Sequence, residues 1–160
     1  MSESAPIGTF VVLRADEATA MLRSTEGQVI TLDREATDGT RVPDLARGDV
    51  LEATVGTGPT GVVYRLREVT ERRRVELIDS DLTPTTRSRE VAADLPEGGV
   101  ERFERAGEGE VHVLSVPDAD EAAADVLEDD ATLERAATVG AARVEVRRGD
   151  GLVSVRYLPN

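Results

Sequence analysis

Arg143 to Pro159 reads RVEVRRGDGLVSVRYLP and leaves little choice of local structure. Val144 and Val146 alternate with Glu145 and Arg147, Gly149-Asp150-Gly151 turns the chain, and Leu152, Val153, Val155 and Tyr157 return it. Alternation at period two on both sides of a glycine-bearing turn specifies a β-hairpin. Its apolar face needs a cover. The one long helical pattern, Asp118 to Val139, lies immediately before it, so the carboxyl-terminal half is expected to condense around this hairpin.

The same half supplies the remaining parts of a small α/β sandwich over 110–159, in the order strand, helix, strand, strand. Glu110 to Val116 reads as a strand with Val111 and Val113 buried, and Pro117-Asp118 ends it. Asp118 is a good N-cap with Glu121 at the capping-box spacing. Val126, Leu133 and Ala137 share a helical face, and Gly140 stands at the C-cap position. Asp129-Asp130 is expected to divide this stretch into two helices, with Asp130 capping the second.

The amino-terminal half has a different texture. Gly8 to Arg14 is apolar on both faces, and Thr19 to Arg23 and Gln28 to Leu32 form a hairpin across a loop ending in Gly27. A polar loop, Asp33 to Arg47, carries the breakers Asp38-Gly39 and Pro43, and the strand Val50 to Val55 follows. After the turn at Gly56, Gly58, Pro59 and Gly61, Val62, Tyr64 and Leu66 alternate with Arg65 and Arg67, and a last strand is read around Val75 and Leu77. Five or six short strands with glycine-rich turns predict a small β-barrel of the OB or SH3-like kind over 7–79. Residues 80–109 read as a linker with short helical segments, one at Thr86 to Leu95 and a further turn at Val100 to Arg105. The fold class expected is α+β: the barrel followed by the α/β sandwich.

Charge bears on whether such a chain folds and on what it meets. There are 32 acidic residues against 19 basic ones, for a formal charge of −13, and every basic residue is arginine. High charge with two Phe and two Tyr is a signature of disorder. The plentiful Val, Leu and Ala in strand-like runs argue instead for a folded chain adapted to high salt. There the Debye length falls to about 3 Å and crowded carboxylates scarcely repel one another. An acidic background of that kind does not exclude a nucleic-acid partner. With no cysteine, disulfides, thiolate metal sites and cysteine nucleophiles are absent. The start, MSESAPIGTF, lacks a leader pattern and no apolar run reaches the roughly 20 residues of a membrane helix, so a cytoplasmic protein without membrane contact is expected.

Arg65, Arg67, Arg72, Arg73 and Arg74 form the candidate site for a polyanion or partner. On a last barrel hairpin, with Val62, Tyr64 and Leu66 inward, their guanidinium groups would share the outer face, and paired arginine forks suit phosphate. The plainer reading is neutralisation by Glu68, Glu71 and Glu76. Only Tyr64 among the aromatics is near, so a stacking platform for single strands is missing. His112, the only histidine, has no nucleophile or carboxylate marked out for it and reads as a partly covered structural residue. The acidic run from Asp118 to Asp130 lacks the pattern of a calcium loop and reads as a solvated helix face. No catalytic residues, metal or cofactor are expected.

Several stretches carry a resemblance: GTFVVLRADEATAMLR from Gly8, GDVLEATV from Gly48, Thr85-Thr86-Arg87 with REVAAD from Arg89, AGEGEVHVLSVP, ADVLEDDATLERAA and the ending LVSVRYLP. Together they resemble an uncharacterised family of short haloarchaeal proteins, a domain of unknown function. The resemblance implies a haloarchaeal cytoplasm and a two-part chain, and brings no catalytic residues with it. The function expected is a non-catalytic interaction module binding a protein or ribonucleoprotein. The alternatives are direct RNA or DNA binding through the arginine face, and a metal-assisted enzyme using carboxylates.

Overall fold

The computed structural model describes residues 7–36, 39–57, 63–105 and 109–159. Asp38, most of the glycine turn after Gly56, and Val62 therefore lie outside the described residues. The chain forms two compact units, 1–75 with 133–138, and 76–132 with 139–160.

The first unit is a closed five-stranded barrel built from β1 (Ile7–Ala15), β2 (Thr19–Ser24), β3 (Val29–Asp33), β4 (Asp49–Thr57) and β5 (Tyr64–Arg74), in the order β1-β2-β3-β5-β4. β1 pairs with both β2 and β4, and a register shift between Val12 and Arg14 lets it bend from one to the other. The pairings in this unit are antiparallel except β3 with β5, which meet in parallel, among the described residues at Leu32 and Tyr64. Alternation on β2 and β3 turns Ala20, Leu22, Ile30 and Leu32 into a core with Phe10, Val12, Leu51, Ala53, Val55 and Leu66. The other sides of those two strands carry Thr19, Met21, Val29 and Thr31, all exposed.

Two expectations change here. The barrel's last strand is one continuous β5, where the sequence suggested a hairpin turning near Arg72. The strand read around Val75 and Leu77 begins at Glu76 as β6 (Glu76–Asp79) and leaves the barrel for the second sheet. Val75 stays with the barrel, donating its N–H to the Gly48 carbonyl at 2.9 Å.

The second unit is a sheet in the order β6-β9-β10-β8-β7, with β7 at Val100–Glu104, β8 at Glu110–Ser115, β9 at Arg143–Gly149 and β10 at Leu152–Leu158. The hairpin is β9-β10, and Gly151 supplies the positive φ of its turn (77°). The chain at Val100–Glu104 is a strand, not the helical turn expected from the three-residue spacing of Val100 and Phe103. α1 (Thr86–Ala93) is capped by Thr85, whose side chain accepts from the Ser88 N–H. Val91, Ala92 and Leu95 from this region pack with Phe103 on Val111, Val113 and Leu152.

α2 (Ala119–Glu128) lies against β6, β9 and β10. Its N-cap is Asp118, accepting from the Glu121 N–H at 3.1 Å as the sequence indicates. The helical stretch does divide, but Asp129 caps α3 (Asp130–Val139), accepting from the Ala131 N–H at 2.9 Å. Within the barrel unit, Glu134 of α3 bridges Arg23 at 3.0 Å. No helix among the described residues is long and apolar enough to cross a membrane.

Candidate functional site

The five predicted arginines all lie on β5, yet the strand does not hold them on one face. Against β4, Asp49 to Glu52 pair with Arg74 to Glu71, Ala53 and Thr54 pair with Val69 and Glu68, and Val55 pairs with Leu66. Arg67 and Thr70 fall between consecutive register pairs, so β5 carries two extra residues. Each one reverses the alternation beyond it. Leu66 and Val69 point inward, and Arg72 and Arg74 stand on the same side of the strand, across from Leu51 and Asp49, with side chains 32 and 53% exposed. Arg73 stands across from Val50 on the outer side. Arg65 also faces outward, across from Gly56, and the Arg67 side chain lies over Gly56, where an added Cβ would sit 2.6 Å from Nε.

Arg72 and Arg74 come together on one carboxylate. Asp49 is fully buried and its Oδ2 accepts from the Ala46 N–H at 2.9 Å and from Arg72 at 3.1 Å, while Oδ1 accepts from Arg74 Nε at 2.5 Å. Arg72 also donates to the Pro43 and Asp44 carbonyls, and Arg74 to the Asp44 carbonyl. Burial pushes the Asp49 carboxyl up, but the Arg74 hydrogen bond, the Ala46 N–H and the two guanidinium charges outweigh it and leave the group below its ordinary value. These two arginines tie the 43–49 loop to the end of β5. Glu68, Glu71 and Glu76, the neutralising partners read from sequence, are not the carboxylates that hold them.

His112 lies across its strand from Val111 and Val113, as alternation requires. Its Nε2 is 2.6 Å from Glu110 Oε2, and its ring sits 4.9 Å from that of Tyr157. A histidine packed on a buried tyrosine is thus held by a carboxylate two residues along its own strand, a partner the sequence did not mark out. Among the described residues no three His, Asp or Glu side chains converge as metal ligands.

Concavities lie in both units, among them a shallow one of about 230 Å³ lined by Arg14, Asp16, Thr19, Met21 and Thr31. A cavity of about 180 Å³ in the barrel has Leu32, Val42, Leu45 and Leu66 in its walls and Arg34 and Arg41 beside them. It is smaller than the ~300–1,000 Å³ usual for ligand sites. A shallower groove of about 540 Å³ runs between α1 and the β9-β10 turn and is walled by small residues, with Arg89 and Asp150 its only charged ones. Neither the cavity nor the groove brings together a nucleophile and a base.

The sequence reading passed over a charged cluster on the second sheet. Register places Arg147 across from Ser154, and Glu145 across from Arg156. Glu145 Oε1 lies 3.0 Å from Arg147 Nη2 and 3.1 Å from Arg156 Nε, and the three side chains are only 15, 15 and 12% exposed. Arg156 Nε has no directed hydrogen bond, so its contact with Glu145 is ionic. Burial pushes the Arg156 guanidinium below its ordinary value, with Arg147 and Arg105 adding repulsion and Glu145 opposing it. Ser154 is fully buried and its hydroxyl has no hydrogen-bond partner. The available signal was the hairpin register: once Val144 and Val146 share a face, Glu145, Arg147, Ser154 and Arg156 must share the other.

A family model described as a family of unknown function (DUF5812) matches residues 6–148. No curated protein and no solved structure matches the chain.

Proposed function

The chain belongs to that family of unknown function, and from this premise we propose that it is a non-catalytic binding module whose barrel is of the OB type and takes a protein or ribonucleoprotein partner. The strand order β1-β2-β3-β5-β4, with β3 and β5 parallel and a bent β1 serving both neighbours, supports the OB assignment. In such barrels the β2-β3 face is the habitual binding surface.

The observation that carries the reading is what that face presents here. Met21 and Val29 are 36 and 51% exposed on the outer side of adjacent strands, with the hydroxyl-bearing Thr19 and Thr31 beside them. Arg23 stands across from Val29 and Asp33 across from Thr19 on the same outer side, and an apolar pair set among polar and charged groups of both signs suits a protein. A single strand of nucleic acid would need aromatic platforms, and neither β2 nor β3 carries one. The turn from β1 to β2 is closed on itself, with Asp16 accepting from the Ala18 and Thr19 N–H groups, so the face ends in a firm loop.

The test is affinity capture from native-cell extract with nuclease present, comparing the wild type with Met21→Glu/Val29→Glu. The reading expects a partner protein that survives nuclease and is lost in the double variant. Capture of nucleic acid alone, or equal capture by the variant, contradicts it.

A further inference from the structure

The Arg147, Glu145 and Arg156 cluster carries an unbalanced charge. Two guanidinium groups share one carboxylate oxygen at 3.0 and 3.1 Å, leaving a net charge of +1 for the three, in a chain whose overall charge is −13. Arg105 adds a further repulsion to Arg156. Partial burial makes that excess costly, because water screens it poorly, and where Asp49 gives Arg74 and Arg72 separate oxygens, Glu145 meets Arg147 and Arg156 through one oxygen, a shortfall of acceptor geometry. The lack of a directed bond at Arg156 Nε is that shortfall seen at one atom.

A second observation points the same way. Ser154 lies across from Arg147 and two residues before Arg156, on the same side of the sheet. Its hydroxyl is a donor sealed from water without a partner, which a folded chain rarely tolerates. An oxyanion held by the two guanidinium forks would balance the charge and give that hydroxyl an acceptor.

We propose that Arg147 and Arg156, with Ser154 beside them, form a binding site for a single oxyanion, a phosphate or carboxylate group. The planar arginine forks match the oxygen geometry of either group. Glu145 occupies the site in the free protein as a resident competitor, and Arg147 is held independently by the Thr83 carbonyl at 3.3 Å. The site lies in the second unit and is independent of the barrel face.

The test is an NMR titration of the full chain with sodium phosphate, sodium acetate and sodium chloride at matched ionic strength, following the backbone amides of Arg147, Ser154 and Arg156. Saturable shifts with phosphate alone identify a phosphate site, and saturable shifts with both oxyanions identify a general oxyanion site. Chloride is expected to produce none. Arg156→Gln should weaken binding about tenfold, the scale of one lost charge-assisted bond. Removing a half-buried arginine can also unsettle the sheet, so Glu145→Gln is the deciding variant. It removes the resident competitor and should tighten the anion several-fold. Absence of saturable shifts in the wild type, unchanged affinity in Arg156→Gln, or weaker binding in Glu145→Gln would each overturn the proposal.

Discussion

Replacing Asp49 by asparagine leaves Arg72 and Arg74 facing a neutral amide, and weakens the acceptor of the Ala46 N–H. Breaking a fully buried pair costs about 3–5 kcal/mol, but Arg72 and Arg74 remain 32 and 53% exposed, so a loss of about 2–3 kcal/mol is expected in chemical denaturation. The pH dependence follows from the direction of the Asp49 shift. Its carboxyl lies below the ordinary 3.8 in the folded chain, so its stabilisation is complete above that value and is lost as pH falls through the folded value. Wild type and Asp49→Asn should therefore differ at pH 7 and converge in acid; a gap that persists in acid would show that Asp49 acts by shape alone. Asp49 was legible only as a residue after Gly48 at a strand start. Its role depends on β5 carrying two extra residues, and a strict period-two reading cannot place bulges at Arg67 and Thr70. The same reading succeeded on the unbulged hairpin, where it put Val144 and Val146 inside.

The elements differ in how much of their definition is local. α1, α2 and the β9-β10 turn were readable because caps and turn glycines act within a few residues. β7 was not, because Val100 and Phe103 have helical spacing while the strand is defined by pairing with β8. There Phe103 packs with α1 and Val100 is 59% exposed. The start of β8 depends on Gly109, whose φ is 107° and whose added Cβ would lie 2.5 Å from the Tyr157 carbonyl oxygen. Gly109→Ala should cost more than about 2 kcal/mol, since backbone strain and a clash with the main chain of β10 add together. Gly27 in the β2-β3 turn has φ 96° but nothing within 4 Å of the same position. Gly27→Ala should therefore cost only the backbone term, about 1 kcal/mol. Thermal denaturation of the two variants measures the difference, and equal losses would contradict the clash.

Across the whole molecule, composition separated a glycine-punctuated β half from a half with helices, and both kinds of structure are present. The sequence pattern assigns all of Asp118 to Val139 to the carboxyl-terminal hairpin, but 133–138 groups with the barrel, because a helix face of Leu133, Ala136 and Ala137 is apolar without naming the sheet it covers. The charge of −13 makes self-repulsion a whole-chain property. Raising sodium chloride from 0.1 to 1 M shortens the Debye length from about 10 to about 3 Å and should raise Tm; a fall would mean that attractive ion pairs dominate. The central claim, a protein-binding barrel, is tested most directly by hydrogen exchange on the chain with its captured partner bound. Slowed exchange concentrated in Thr19–Ser24 and Val29–Asp33 is the predicted footprint. Unchanged exchange there, with protection confined to the second sheet, would contradict it.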